Sequence, residues 1–382
     1  MPGADATTLT GRLVLDDRVA TGRVLVEDGW IASIELEDDQ VRTPRDAPFI
    51  APGFVDIHVH GWGGHDAMGG PGALDGMARR LLRRGVTSFL PTAVTAPLDA
   101  LAAFAEGVRA WLPAAPADGA EPLGFNLEGP FLAAARRGAH DQASLRAPAD
   151  VDATVIESLV DGLRVITIAP ELAGAIDLIG RLRERGVVAS IGHSAATLDE
   201  ARAGYAAGAT STTHVFNAMT GVDHRAPGVA VAALLDDAVY AELIADGIHV
   251  VPAVWPIITR LKPRDRLLLV SDALPLAGTG DGKGRIGGLE VEVAGDRATL
   301  AGTATLAGSV IALDRAVRNL VAAGTPLPAA VAAASRNPAA LLGRSDRGRL
   351  VPGARADLVE LDGALRVRRV MRAGSWFEAD PA

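Results

Sequence analysis

The sequence predicts an α/β fold, a (β/α)8 TIM-like barrel carrying a small β-sandwich domain formed by both chain ends. Three observations lead there. After Pro52-Gly53 the chain alternates short apolar runs with helical stretches of about 12 residues, the signature of parallel βαβ units. Eight such runs can be placed, the number a closed barrel needs. The length of 382 residues accommodates a barrel of roughly 250 residues and a satellite domain.

The satellite begins with strands at 12–15 and 23–27, then a turn at Asp28-Gly29 and a third strand at 30–35. The barrel runs are 54–60, 86–92, 123–128, 165–171, 187–193, 210–214, 240–249 and 266–272. Helices such as 74–84 and 198–207 separate them, the second behind Thr197-Leu-Asp-Glu200, which is spaced as a capping box. Two more helices, 309–323 and 327–342, follow the eighth run. The tail returns to strand texture at 356–361 and 365–372 after the turn Val351-Pro-Gly353. The expected division is therefore 1–53 with 344–382 as the β domain, and 54–343 as the barrel.

Composition narrows the functional classes. The net charge is −9 and the basic residues are scattered, so the basic patch that nucleic-acid binding requires is missing. Cysteine is absent, which excludes a disulfide framework, a thiolate nucleophile and a cysteine-based zinc site. The first ten residues lack the pattern of a secretory signal, and no apolar stretch approaches the ~20 residues of a membrane span. A cytoplasmic protein with no membrane partner is expected.

Chemistry concentrates where strands end. His60, Glu128, His193, His214, His249 and Asp272 close their respective runs. In a (β/α)8 barrel those ends surround one mouth, where the active site sits. His58 and His60 lie two apart on the first strand, so both side chains face the barrel interior. Imidazole and carboxylate without thiolate suit a divalent cation, zinc first and iron second, and three protein ligands leave a position open for water. An open position points to catalysis. Asp272 is placed to take a proton from that water and hand it to a leaving amine.

Several motifs carry a family resemblance. Pro52-Gly-Phe-Val-Asp-Ile-His-Val-His60 resembles the first barrel strand of the amidohydrolase superfamily, and Gly353-Ala-Arg-Ala-Asp-Leu358 resembles its returning β segment. Asn126-Leu-Glu-Gly-Pro130, Gly192-His-Ser-Ala-Ala-Thr197, Thr213-His-Val-Phe-Asn-Ala-Met219, Asp246-Gly-Ile-His249 and Val270-Ser-Asp-Ala273 are similar to the N-acetylglucosamine-6-phosphate deacetylases within it. The resemblance spans nearly the whole chain. It implies hydrolysis of N-acetyl-D-glucosamine 6-phosphate to D-glucosamine 6-phosphate and acetate, in amino-sugar catabolism or cell-wall recycling.

The resemblance also assigns residues. It implies that Glu128, His193 and His214 hold one metal, with His58 and His60 helping to hold a second near Asp272, giving one or two divalent ions per subunit. A carboxylated lysine bridges two metals in many amidohydrolases, but Lys262 and Lys283 fall at no strand end, and Glu128 is the available substitute. Ala139, His140, Asn217, Ala218, Arg225, His249, Leu306, Ala307 and Gly308 are implied sugar and phosphate contacts. Arg225 is implied to reach the neighbouring subunit's site, hence a homodimer, and His140 to polarise the acetamide carbonyl. Asn126 stands where family members often carry histidine. His65 and His224 are expected to be incidental. The alternatives are a sister amidohydrolase acting on N-acetylgalactosamine 6-phosphate or an N-acyl amino acid, and a non-catalytic assembly protein on the same fold.

Overall fold

The structure is a computed structural model that describes residues 6–37 and 47–380, so the first five residues of the polar N-terminus lie outside it. Strands β1 (Thr7–Val14), β2 (Val19–Glu27), β3 (Trp30–Leu36) and β4 (Phe49–Pro52) open the chain. In β2 the buried Val24 and Val26 alternate with the exposed Arg23 and Glu27, the period of a sheet with one wet face.

The eight predicted barrel runs all appear, as β5 (Phe54–Val59), β6 (Val86–Val94), β7 (Phe125–Glu128), β8 (Leu163–Ile168), β9 (Val188–Ile191), β10 (Ser211–Thr212), β11 (Tyr240–Leu243) and β12 (Leu267–Leu269). Neighbours pair in parallel from β5 through to β12. All of β5 and β6 is buried, as expected of strands with helices outside and packed side chains within. The ring closes just beyond β12, where Asp272 N donates to His58 O at 2.9 Å and His60 N donates to Ala273 O at 2.9 Å. Buried Asp56 strengthens that seam by accepting from Ser271 N at 3.3 Å.

An antiparallel sheet that the sequence reading did not contain follows: β13 (Gly282–Ile286), β14 (Leu289–Ala294) and β15 (Arg297–Leu300). Its apolar face, Ile286, Val291, Val293 and Ala298, packs on Val94, Leu274 and Ala307 at the barrel mouth. The tail strands β16 (Leu358–Leu361), β17 (Val367–Arg372) and β18 (Ser375–Glu378) then join β1–β4. The resulting sheet runs β18-β17-β16-β4-β1-β2-β3. Ile31 N donates to Ala354 O and Gly353 N to Ile31 O, both at 2.8 Å, which folds the β3 edge back over a core of Leu9, Leu13, Val24, Ile50, Leu358 and Met371.

Two elements differ from expectation for local reasons. The helix expected over 327–342 breaks at Ser335 into Leu327–Ala334 and Arg336–Leu341. Ser335 Oγ donates to Val331 O at 2.6 Å, and Pro338 has no N–H with which to continue the ladder. The strand expected over 240–249 stops at Leu243. Asp246 Oδ1 instead accepts from Ile248 N at 2.8 Å and His249 N at 2.9 Å, turning the chain so that His249 sits on a loop above the mouth.

The helix Leu198–Ala207 carries the predicted capping box of Thr197 and Glu200. Gly192, between β9 and that helix, has no room for a side chain: a Cβ there would lie 2.6 Å from Thr213 Cβ and 2.9 Å from Thr167 Cγ2. Gly192→Ala is expected to push β9 away from β10 and cost about 1–3 kcal/mol of unfolding free energy, read as a lowered urea midpoint at unchanged slope. An unchanged midpoint would show that the interior relaxes around the methyl group.

Candidate active site

The strand ends bring residues remote in sequence to one mouth. His58 projects inward from β5 and His60 lies one residue past it, Glu128 ends β7, His193 and His214 each lie two residues past β9 and β10, and Asp272 lies three past β12. His193, His214 and Asp272 have φ of +46°, +26° and +49°. Non-glycine residues pay about 1–3 kcal/mol each for such torsions, which persist where the surroundings over-determine them, typically at functional sites. Here they turn the chain sharply off the strand and aim the side chain across the mouth.

Glu128 lies at the centre. Its Oε1 is 3.0 Å from His193 Nε2 and 2.9 Å from His214 Nε2, and those two nitrogens are 3.1 Å apart. His193 Nδ1 is 2.9 Å from Arg136 O, which fixes the ring proton there and leaves the Nε2 lone pair facing the triangle. Lone pairs converging at such separations repel unless a cation sits among them, and nitrogen ligands at about 2.0–2.1 Å from a zinc-sized ion fit these spacings.

The second oxygen of Glu128 serves another cluster. Oε2 is 3.2 Å from His60 Nε2, which is also 3.1 Å from Asp272 Oδ1. His60 Nδ1 donates to Thr92 O at 3.1 Å, so its Nε2 also faces inward, a donor to the carboxylates when protonated and a ligand atom once the proton is lost. His58 Nε2 is 3.6 Å from both Glu128 Oε1 and Asp272 Oδ1, fully buried and without a hydrogen-bond partner. The residues therefore fit one divalent cation, and a second beside it. Glu128 is shared between the two clusters, and neither lysine reaches them. Lys262 Nζ donates to Ala233 O and Asp236 O, and Lys283 lies on β13.

Charge in this pocket is balanced by imidazoles. Burial works to protonate Glu128, but the facing histidines His140, His58 and His193 hold its carboxyl well below the usual range. Burial likewise works to discharge His60, yet its hydrogen bonds and charge contacts with Asp272 and Glu128 push it up to about 9. His140 goes the other way. Burial brings it down to about 4 despite the charge of Glu128, so its ring is neutral at physiological pH. Its Nδ1 lies 2.9 Å from Thr95 Oγ1, and its Nε2 lies 3.2 Å from Glu128 Oε2.

These groups border a cavity of about 340 Å³, within the range of small-molecule sites. Of the expected contacts, Ala139, His140, Asn217, Ala218, His249, Leu306, Ala307 and Gly308 line it. Arg225 does not; it sits on an exposed loop where its N–H donates to Asp223 Oδ1 at 2.7 Å. Asn126 Nδ2 donates to Ile57 O at 2.9 Å and so bridges β7 to β5 beside the histidine pair. His224 is exposed, and His65 packs against Gly76.

Sequence reasoning missed four contributors. Asp246 Oδ2 is 2.6 Å from His249 Nδ1, and although burial works against it, that hydrogen bond and charge raise the His249 pKa. Ile286 and Thr305 bring the additional sheet and its return loop to the cavity wall. Glu242 is wholly buried beneath His58, its Oε2 3.2 Å from His58 Nδ1. Its only sequence signal was an acidic residue inside the apolar run 240–245.

The raised pKa of His60 sets the pH dependence of metal loading. Its folded value of about 9 lies above the ordinary 6.5, so protonation stabilises the metal-free fold below 6.5 and is lost as pH rises through 9. A cation must displace that proton. Apparent affinity for Zn²⁺ is expected to rise across this window, and calorimetry in buffers of different ionisation heat is expected to show proton release near neutral pH. Affinity independent of pH, with no protons released, would contradict this charge arrangement.

Comparison with known proteins agrees with this geometry. Residues 49–379 match the model of the amidohydrolase family. The chain is 38% identical over 379 residues to the N-acetylgalactosamine-6-phosphate deacetylase of Escherichia coli O157:H7, covering 92% of this chain and 97% of that one. It is 38% identical over 390 residues to the human N-acetylglucosamine-6-phosphate deacetylase, covering 94% of both. Among solved structures, a variant of N-acetyl-D-glucosamine-6-phosphate deacetylase from Mycobacterium smegmatis in complex with N-acetyl-D-glucosamine-6-phosphate superposes with a TM-score of 0.90 at 37% identity, covering 97% of this chain and 99% of that one. The chain belongs to the amidohydrolase family, in the branch that holds these amino-sugar phosphate deacetylases.

Proposed function

We propose that this protein is a metal-dependent hydrolase that removes the acetyl group from N-acetyl-D-glucosamine 6-phosphate, yielding D-glucosamine 6-phosphate and acetate. The observation that carries this reading is the convergence of Glu128, His193 and His214 on one point beside Asp272 and neutral His140, in a cavity of small-substrate size. Glu128, His193 and His214 would hold one cation, and His58 and His60 with Glu128 and Asp272 a second. Nitrogen and carboxylate donors favour zinc, with iron next. When bound, the cation supplies Lewis acidity and lowers the pKa of water.

The chain's own groups perform the proton chemistry. The facing imidazole of His58 and the hydrogen bond from His60 keep Asp272 ionised against the effect of burial. It accepts a proton as water adds to the acetamide carbon, then delivers it to the nitrogen as the C–N bond breaks. Neutral His140 donates a hydrogen bond from Nε2 to the carbonyl oxygen as negative charge develops there. His249, raised in pKa by Asp246, suits an anionic phosphate, while Ala139, Asn217, Ala218 and the loop 306–308 shape the sugar site.

Arg225 completes this reading in a homodimer by reaching the neighbouring subunit. Its exposed loop adjoins an apolar groove that includes Val222, Leu235, Val251 and Ile257, and His249 lines both the groove and the cavity. Its lining is almost wholly apolar, which suits a self-complementary contact. The division into 54–343 and the paired ends 1–53 and 344–382 follows the junction at Gly53 and the gap between Leu341 and Leu358. Among the described residues no helix is long and apolar enough to cross a membrane. A phosphorylated sugar is retained inside cells by its charge, so the cytoplasm is the compartment this reading implies.

One observation favours a second reading. The Escherichia coli relative named for the galactosamine epimer is as similar as the human glucosamine one, so N-acetylgalactosamine 6-phosphate is the alternative substrate.

Acetate release by zinc-reconstituted protein tests the assignment on both phosphorylated epimers and on unphosphorylated N-acetylglucosamine. Turnover is expected for the phosphorylated glucose epimer, with kcat/KM about 100-fold lower when the phosphate is absent. Faster turnover of the galactose epimer would move the assignment to the second reading. Absence of turnover on either, with metal bound, would overturn both.

Substitutions separate the roles of the two catalytic groups. Asp272→Asn is expected to lower kcat by about 10²–10⁴-fold through loss of the proton shuttle. His140→Asn is expected to lower kcat by about 10²–10³-fold with bound metal unchanged. A His140→Asn enzyme of normal kcat would remove His140 from the mechanism.

A further inference from the structure

The proton chemistry above leaves Glu242 unused. β11 carries its side chain into the barrel, where it is fully buried and, among the described residues, has no arginine or lysine paired with it. Its Oε2 is 3.2 Å from His58 Nδ1 and also accepts the backbone N–H of His214 at 3.2 Å, while Oε1 has no partner. Burying a carboxylate is costly unless positive charge compensates it. The compensating group here is the His58 ring.

The geometry defines what that contact does. Nδ1–H donated to Glu242 orients the His58 ring so that Nε2 faces Glu128 and Asp272, 3.6 Å from each, where its lone pair would become available to a cation once Nε2 loses its proton. A carboxylate behind a ligating imidazole fixes its orientation and raises its basicity. The same oxygen holds the backbone of His214, whose φ of +26° needs an external restraint. One side chain thus ties the histidine of one cluster to the strand end of the other.

We propose that Glu242 is a positioning residue that sets the affinity of the second cation site by orienting His58. The inference rests on the reading that His58, His60, Glu128 and Asp272 hold a second metal. It concerns a residue that touches neither substrate nor metal.

The test uses the full chain with Glu242→Gln and Glu242→Ala, dialysed against fixed free Zn²⁺ concentrations, with bound zinc measured by elemental analysis. Wild type is expected to bind two equivalents. In Glu242→Ala the weaker equivalent is expected to lose about 10–100-fold in affinity while the tighter one is retained. Glu242→Gln keeps an acceptor for His58 without the charge and is expected to fall between; it also carries the test should the alanine variant fail to fold. His58→Asn is expected to weaken the same equivalent, and adding Glu242→Ala to it is expected to cause little further loss.

Two equivalents bound at wild-type affinity in both Glu242 variants would overturn the proposal. So would parallel loss of both equivalents, which is what a merely structural role predicts. A wild-type protein that binds a single zinc at saturation would instead overturn the two-metal reading beneath it, and does so before any substitution is made.

Discussion

Glu128 is surrounded by imidazoles that converge on it from several strands and loops, and it has no arginine or lysine to neutralise it among the described residues. An ionised carboxylate in that position is tolerable only because positive charge is shared around it, by protons in the metal-free protein or by a divalent cation in the loaded one. That single constraint helps to push His60 up, whereas His140 is brought down by burial against it. The constraint also explains why the ring nitrogens crowd one point and why His58 Nε2 has no hydrogen-bond partner.

The scaffold is arranged to make this convergence unavoidable. Parallel strands bury both faces and end together, and hydrogen bonds between 58–60 and 272–273 close the ring at the rim where His58, His60 and Asp272 stand. The closing seam therefore carries functional groups on both sides, His58 and His60 against Asp272. Left-handed backbone at His193, His214 and Asp272, just past their strand ends, is strain held by the packed barrel rim. Gly192, hemmed in by Thr167 and Thr213, sets the spacing between the strands that deliver His193 and His214.

Much of this was legible because it follows from periodicity. Parity on the first strand put His58 and His60 on one face, and the ends of the other runs placed Glu128, His193, His214 and Asp272 at the mouth. The capping box at Thr197 was readable because its hydrogen bonds are local. What escaped depends on tertiary context. The sheet β13–β15 was passed over although Leu289-Glu-Val-Glu-Val293 alternates behind Gly287-Gly288; its role, packing on Val94 and Leu274, comes from tertiary context. His249 was assigned to a strand because 240–249 is apolar, whereas the turn is made by Asp246 accepting two backbone N–H groups. Glu242 was passed over because a carboxylate inside an apolar run shows its purpose only once His58, 184 residues away, is seen beside it.

The central claim is that the chain folds around a metal site centred on Glu128. Its most direct test is a crystal of zinc-loaded protein with diffraction recorded on both sides of the zinc absorption edge. The account predicts an anomalous peak about 2.0–2.2 Å from His193 Nε2, His214 Nε2 and a Glu128 oxygen. A peak elsewhere, with the Glu128 triangle intact and free of metal, would contradict it.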